Sequence, residues 1–142
     1  MSFDMVGPAL VLGLSSFGSC IGCGIAGAAS HAVMARVEEG HGKFIGMSAA
    51  PSSQSIYGFI LMLLMRNAIN AGTLSPLSGI GMGLSVGAAF LASSVYQGRV
   101  CASGIQASAR QPAVYGKCWA SIGIIESFAL FAFVFALLLM QK

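Results

Sequence analysis

Four apolar stretches, each long enough to cross a bilayer as a helix, constrain what this chain can fold into. They run over residues 5–35, 44–65, 77–109 and 118–140, and a membrane helix needs roughly 20 residues. Only 8% of the residues are charged, against about 25% in a typical soluble domain. Because lipid offers no partners for backbone N–H and C=O groups, such segments must be helical. We therefore predict an all-α membrane protein with four transmembrane helices.

The charged residues fall mainly in the connections between these stretches, and their sign predicts the orientation. The middle connection, residues 66–76, has a single basic residue, and Asp4 precedes the first stretch. Connections rich in Lys and Arg face the cytoplasm, so we expect the first and third there, with both termini and the middle loop opposite. No Lys or Arg precedes the first stretch, so we expect it to be retained, not cleaved as a signal peptide. The first and third connections contain the charged residues and the histidine of this set: Arg36, Glu38, Glu39, His41, Lys43, Arg110 and Lys117.

The second half of the chain repeats the first. Residues 17–22 match residues 82–87, and residues 54–59 match residues 126–131. The second match aligns Gln54 of the first half with Glu126 of the second. We predict two related helical hairpins fused in one chain, residues 1–72 and residues 73–142.

Small residues recur at every fourth position in the first and third stretches, whereas the second and fourth carry bulky side chains. Gly18 and Gly22 in the first stretch correspond to Gly83 and Gly87 in the third. Such flat faces let helix backbones approach closely. We expect the narrow helices to form the inner wall of a closed ring of subunits and the bulky ones its lipid-facing wall. An ordinary four-helix bundle with a glycine seam is the alternative.

Glu126 is the only carboxylate deep inside an apolar stretch, and it is the strongest functional signal. A charge at the centre of a bilayer costs about 2.5–3.5 kcal/mol on insertion scales. Its neighbours Ile124, Ile125 and Phe128 offer no opposite charge, and apolar surroundings disfavour the charged form. We expect the group to carry a proton or a bound cation while it faces lipid. A neutral glutamic acid that only hydrogen-bonds between helices is the alternative.

Two glutamines are predicted to lie at the depth of this carboxylate. Gln97 precedes Pro112, taken as the turn of the second hairpin, by 15 residues, and Glu126 follows it by 14. At a rise of 1.5 Å per residue both lie about 21–22 Å from that turn. Gln54 lies 13 residues after His41, taken as the turn of the first hairpin, at about 20 Å. Because buried amides need partners, we expect the three side chains to meet, although each glutamine alone is consistent with a simple helix–helix hydrogen bond.

Further oxygen atoms surround these three side chains in the sequence. Ser53 adds a hydroxyl beside Gln54, and Tyr57, one turn further on, is placed to support the carboxylate. Pro51 removes a helical N–H, so we expect a kink that frees a backbone carbonyl. A hard cation prefers such an all-oxygen set, whereas a proton carrier needs far fewer groups. The oxygen count therefore favours Na⁺ over H⁺ without excluding H⁺.

With these residues the chain resembles the proteolipid ring subunit of V-type ATPases, called K or c, in its two-hairpin form. The resemblance rests on PSSQSIYGF at 51–59, on YQGRV at 96–100 with GIQ at 104–106, and on IES at 125–127. It covers nearly the whole chain. Together these motifs are specific, although any one of them alone is weak.

The resemblance implies a membrane rotor that carries one ion per subunit, Na⁺ or H⁺, and is coupled to ATP hydrolysis or synthesis in a soluble head. It also implies a stator subunit that supplies an arginine, a central-stalk subunit at the cytoplasmic loops, and no cofactor. Ser53 stands where a threonine is common, and Ala50 where a larger aliphatic residue is common; serine keeps the hydroxyl. The ion-binding set implied by the resemblance is Glu126, Gln54, Gln97, Ser53 and the backbone carbonyl of Ala50, with Tyr57 bonded to the carboxylate.

Two other functions are alternatives to the rotor. A small four-helix proton-coupled multidrug exporter also uses one membrane glutamate, but in the first helix, not the fourth. A structural proteolipid without a transport role would not need Glu126 and two level glutamines. Cys20 and Cys23 form a C-x-x-C, which we interpret as small packing residues because no second pair stands at metal-site spacing. No P-loop pattern is present, so we expect no ATP-hydrolysing site and no catalytic residue in this chain.

Overall fold

In the computed structural model, which describes residues 3–141, the chain forms five α-helices and two short 3₁₀ turns. No strand occurs within that range. Residues 1, 2 and 142, the outermost positions of the two predicted hairpins, lie outside the described residues. The helices are α1 Val6–Met34, α2 His41–Ala49, α3 Ser53–Asn70, α4 Pro76–Arg110 and α5 Tyr115–Met140.

The four predicted apolar stretches are all helical, and three give segments long and apolar enough to span a membrane: Val6–Met34, Pro76–Arg110 and Pro112–Met140. The second stretch is divided into α2 and α3 by a 3₁₀ turn at Ala50–Ser52. Because Pro51 has no N–H to donate, an uninterrupted α-helix cannot pass through this position. The expected all-α membrane fold is confirmed, with α1 to α3 as the first hairpin and α4 and α5 as the second.

The most extensive helix–helix contact in the described part of the chain joins α1 to α4. A Cβ atom on Gly98 would collide with the backbone of Gly22, and one on Gly83 would collide with the backbone of Gly7. Glycine at these positions therefore allows the two helices to touch backbone to backbone. The two narrow stretches of the sequence thus pack against each other.

The last helix, α5, lies on the outside of this pair and leaves most of its surface uncovered. Its only buried residues within the described range, Ile122, Ala129 and Ala136, are seven positions apart and form one narrow stripe. Bulky side chains such as Phe128 (64% exposed) and Phe135 (60% exposed) point outward. An apolar surface of this extent is suited to contact with lipid or with further protein.

The first and third connections lie at the same end of the bundle. The ammonium group of Lys43, at the start of α2, lies 5.7 Å from the ring of Tyr115, at the start of α5. Gly40 in the first connection and Gly72 in the middle one adopt positive φ angles of 80° and 73°, which glycine tolerates without a steric penalty. The contact between Lys43 and Tyr115 makes the first and third connections neighbours.

Candidate ion-binding site

At the interruption between α2 and α3, two serine hydroxyl groups bond to backbone carbonyls. Ser53 Oγ donates to the carbonyl oxygen of Ala50 at 3.2 Å, and Ser94 Oγ, from α4, donates to that of Pro51 at 2.7 Å. An uninterrupted α-helix would give each of these oxygens an N–H donor four residues further on, whereas here the Ala50 carbonyl accepts the N–H of Ser53, three residues on. The predicted break at Pro51 therefore coincides with a local group of oxygen atoms.

The two glutamines meet at the depth that the count along the helices predicts. Gln54 and Gln97 are both fully buried, and Gln54 Nε2 donates to Gln97 Oε1 at 3.0 Å. Gln97 Nε2 in turn donates to the carbonyl of Ile122 on α5 at 3.3 Å. Gln54 Oε1 lies 3.2 Å from Ser53 Oγ, whose single hydrogen can be donated either to it or to the Ala50 carbonyl. This bonding connects α3, α4 and α5 one turn before Glu126.

The carboxylate lies at the outer edge of this polar group. Glu126 is half-buried on α5, and the hydroxyl of Tyr57 donates to its Oε1 at 2.8 Å. The ring of Tyr57 packs against Phe90 and Phe133, with centroid distances of 6.3 Å and 6.1 Å. Aromatic packing thus fixes the phenol that orients the carboxylate.

Two serines of α4, neither of which was predicted from the sequence, belong to the same network. Ser93 Oγ accepts from Gln54 Nε2 at 3.2 Å and donates to the carbonyl of Ile125 at 3.0 Å. Ser94 is fully buried and lies 3.5 Å from the hydroxyl of Ser19 on α1. The position of Ser93 one helical turn before Gln97 is the signal that could have identified it.

The cysteines stay outside this group. All four are free thiols, and no group of three or more Cys, His, Asp or Glu side chains able to hold a metal ion occurs among residues 3–141. Cys20 is exposed on α1 and Cys101 is buried on α4. The oxygen-rich group around Gln54 and Glu126 is therefore the candidate site.

Two tandem hairpins of apolar helices, with one half-buried carboxylate and two buried amides, place the chain in the class of membrane proteolipids. The chain belongs to the ATP synthase C-subunit family, whose sequence profile matches residues 6–65 and again residues 80–139. The family unit therefore occurs once in each hairpin, which agrees with the repeat in the sequence.

Two relatives show how far the similarity extends. The chain is 33% identical over 135 residues to the A-type ATP synthase subunit K of Methanocaldococcus jannaschii, an alignment that covers 95% of this chain and 60% of that protein. It is 32% identical over 143 residues to the V-type sodium ATPase subunit K of Enterococcus hirae, which covers 98% of this chain and 90% of that protein. The chain thus spans less than two thirds of the archaeal relative and most of the bacterial one.

Proposed function

We propose that this chain is the membrane rotor subunit of a V-type or A-type ATPase or ATP synthase, and that Glu126 carries the transported ion. The observation that carries the proposal is the hydrogen bond from Tyr57 to Glu126, next to the buried Gln54–Gln97 pair. The family profile on both hairpins and the glutamate in the last helix favour this function over a multidrug exporter. ATP chemistry takes place on another subunit.

The exposure of Glu126 suits a site that must be reached from outside the subunit. Subunits of this family assemble into rings, and α5 would face lipid there with Phe128 and Phe135. In lipid the carboxylate carries its ion and is neutral; beside a stator arginine the ionised form is favoured and the ion leaves. Each chain of two hairpins holds one such carboxylate. Moving one charge against a membrane potential of 100 mV costs about 2.3 kcal/mol.

We propose Na⁺ as the transported ion. Ser53 Oγ lies 3.2 Å from both the Ala50 carbonyl oxygen and Gln54 Oε1, so three uncharged oxygens are grouped on α3 and the turn before it. With Gln97 and Glu126 they make the all-oxygen set that a hard cation prefers. The relative from Enterococcus hirae is a subunit of a sodium ATPase, which supports the same choice.

The test is modification of Glu126 by a carbodiimide in purified rings, with Na⁺ varied across a pH series. Carbodiimides react with the protonated acid, so a Na⁺ ion bound to the carboxylate protects it. We expect NaCl to protect the carboxyl group from labelling and choline chloride not to. As the pH rises, a lower Na⁺ concentration should be enough for protection, because fewer protons compete for the carboxylate. Glu126→Gln serves as the unlabelled control. Labelling that does not change with Na⁺ concentration at any pH would mean that Glu126 carries protons instead.

We further propose that the first and third connections face the cytoplasm, where a central-stalk subunit binds them. The proximity of Lys43 and Tyr115 supports a common side. Single cysteines introduced at Glu38, Ala113 and Thr73 into a chain whose native cysteines are replaced by serine test the orientation. A membrane-impermeant maleimide should label the first two from one side of sealed vesicles and the third from the other.

A further inference from the structure

We propose that Ser93 is a positioning residue that fixes the amide of Gln54 with its oxygen toward the ion, and that it thereby selects Na⁺ over H⁺. The inference rests on the proposed function. Ser93 is buried on α4, between α3 and α5. Its hydroxyl accepts from Gln54 Nε2 at 3.2 Å and donates to the carbonyl of Ile125 at 3.0 Å. It therefore connects the first hairpin to the residue that precedes Glu126.

The direction of each hydrogen bond follows from groups that cannot reverse. A backbone carbonyl only accepts, so the single hydroxyl hydrogen of Ser93 is committed to Ile125 and its oxygen is left to accept. In the same way, Gln97 must direct its NH₂ group to the carbonyl of Ile122, which turns Gln97 Oε1 toward Gln54. Both neighbours therefore present acceptors to Gln54.

The amide of Gln54 consequently has one favourable orientation. Its NH₂ group has two donors, which match Ser93 Oγ and Gln97 Oε1. Flipping the amide would oppose its oxygen to both of these acceptors. The oxygen instead lies 3.2 Å from Ser53 Oγ, which is itself 3.2 Å from the Ala50 carbonyl oxygen, and it adds to these grouped ligands. The carbonyls of Ile122 and Ile125, about one turn apart on α5, thus determine that the amide oxygen of Gln54, and not its NH₂ group, faces the ion.

This arrangement should matter for a cation more than for a proton. A Na⁺ ion needs several oxygen ligands at once, whereas a proton on Glu126 occupies one carboxylate oxygen and needs no oriented amide. Removing the Ser93 hydroxyl leaves one donor of a buried amide unsatisfied and loosens its orientation. We expect a loss of about three- to tenfold in Na⁺ affinity, the size of one hydrogen bond, with little change in proton binding.

The experiment measures carbodiimide labelling of Glu126 in purified rings of Ser93→Ala and Ser93→Thr. Threonine keeps the hydroxyl, and its extra methyl group can enter the adjacent groove of about 460 Å³ lined by Ala89, Ala92 and Phe128. The matched control is Ser85→Ala on the same helix, because Ser85 is exposed and donates within α4 to the carbonyl of Gly81. If S93A does not assemble, Ser93→Cys, with its weakly bonding thiol, replaces it.

We expect S93A to raise the Na⁺ concentration for half-protection about three- to tenfold, with S93T and S85A near the wild type. The pH dependence of labelling without Na⁺ should be unchanged in all variants. Three results would overturn the inference about Ser93 and leave the proposed function standing. They are unaltered Na⁺ protection in S93A, a pH profile of S93A that moves as much as its Na⁺ midpoint, and an S93T variant that behaves like S93A. A wild type without Na⁺ protection overturns the proposed sodium function and this inference together.

Discussion

The two hairpins carry different polar residues at corresponding positions, and the environments of these residues differ accordingly. Gln54 in the first hairpin is fully buried, and its amide is bonded on both ends. Glu126 in the second is half-buried and accepts a hydrogen bond from Tyr57. A group that must exchange an ion needs access, whereas a group that orients ligands needs rigidity. Duplication followed by divergence at one position can therefore supply both.

The backbones of the two hairpins differ in the same sense. The first hairpin breaks its second helix at Ala50–Ser52, whereas α5 continues from Tyr115 to Met140 without interruption. At the break the Ala50 carbonyl accepts from the backbone N–H of Ser53, and the Ser53 hydroxyl also bonds to it. The hairpin without the carboxylate thus contributes most of the uncharged oxygens, those of Ala50, Ser53 and Gln54, and the unbroken helix contributes the charge. Four substitutions test this division of roles.

Glu126→Gln should have the largest effect, because it makes the two hairpins alike. Glutamine is close in shape but cannot ionise, so we expect rings of normal size that transport no ion and do not react with carbodiimide. The measurement is ATP-driven ion uptake into vesicles containing the whole complex, with size-exclusion chromatography of the ring. Residual uptake in this variant would place the ion on another residue.

Exchanging the two residues, with Gln54→Glu and Glu126→Gln in one chain, asks whether the hairpins are interchangeable. A carboxyl group at position 54 would face Ser93 Oγ and Gln97 Oε1, which in the native chain accept hydrogen bonds from the Gln54 amide. A carboxyl offers at most one O–H donor in place of two N–H donors. When the carboxyl is ionised it offers no donor and both buried hydrogen bonds are lost, so we expect uptake to fall about ten- to hundredfold. Recovery to within tenfold of the wild type would show that burial does not separate the two positions.

Much of the fold was predictable, because lipid leaves a chain few alternatives. The predicted first and third stretches, 5–35 and 77–109, differ from α1 and α4 by one residue at each end. The level of Gln54 and Gln97 followed from the fixed rise of a helix, and their side chains are 3.0 Å apart. Here periodicity and length determine the result, and tertiary packing adds little.

The role of Ser93 could not be predicted in the same way. Serines in helices commonly bond to a carbonyl in the preceding turn, as Ser85, Ser103 and Ser127 do in this chain. The spacing of Ser93 from Gln97 places the two on one face of α4, but it does not show the bonding partners of Ser93, because these lie on α3 and α5. The direction of the Gln54 amide depends on the same tertiary contacts. Hydrogen-bond direction is thus a property of the assembled bundle.

Tyr57→Phe tests whether the first hairpin acts directly on the carboxylate. The ring would keep its packing against Phe90 and Phe133, but the hydrogen bond to Glu126 would be lost. A hydrogen bond to a charged group contributes about 1.5–3 kcal/mol, and Glu126 is only half-buried, so we expect Na⁺ protection to weaken about tenfold. Tyr96→Phe is the matched control, because Tyr96 is exposed and its ring lies 5.3 Å from the Arg99 guanidinium. Equal effects of the two changes would contradict a specific role for Tyr57.

Pro51→Ala should have the smallest effect, although proline is the residue that breaks the first hairpin. Alanine restores an N–H group that can donate to the carbonyl of Met47 in a continuous helix. The carbonyls at the break, however, are also held by side chains, with Ser94 donating to position 51 and Ser53 to Ala50. These bonds oppose straightening, so we expect Na⁺ protection to weaken only about two- to threefold, less than the value of one full hydrogen bond. Pro112→Ala, in the turn that precedes α5, should change nothing by the same measurement. If Na⁺ protection weakens as much in Pro51→Ala as in Tyr57→Phe, proline itself keeps the helix interrupted. The contrast between the hairpins would then depend more on the missing backbone N–H of Pro51 than on the serines around it.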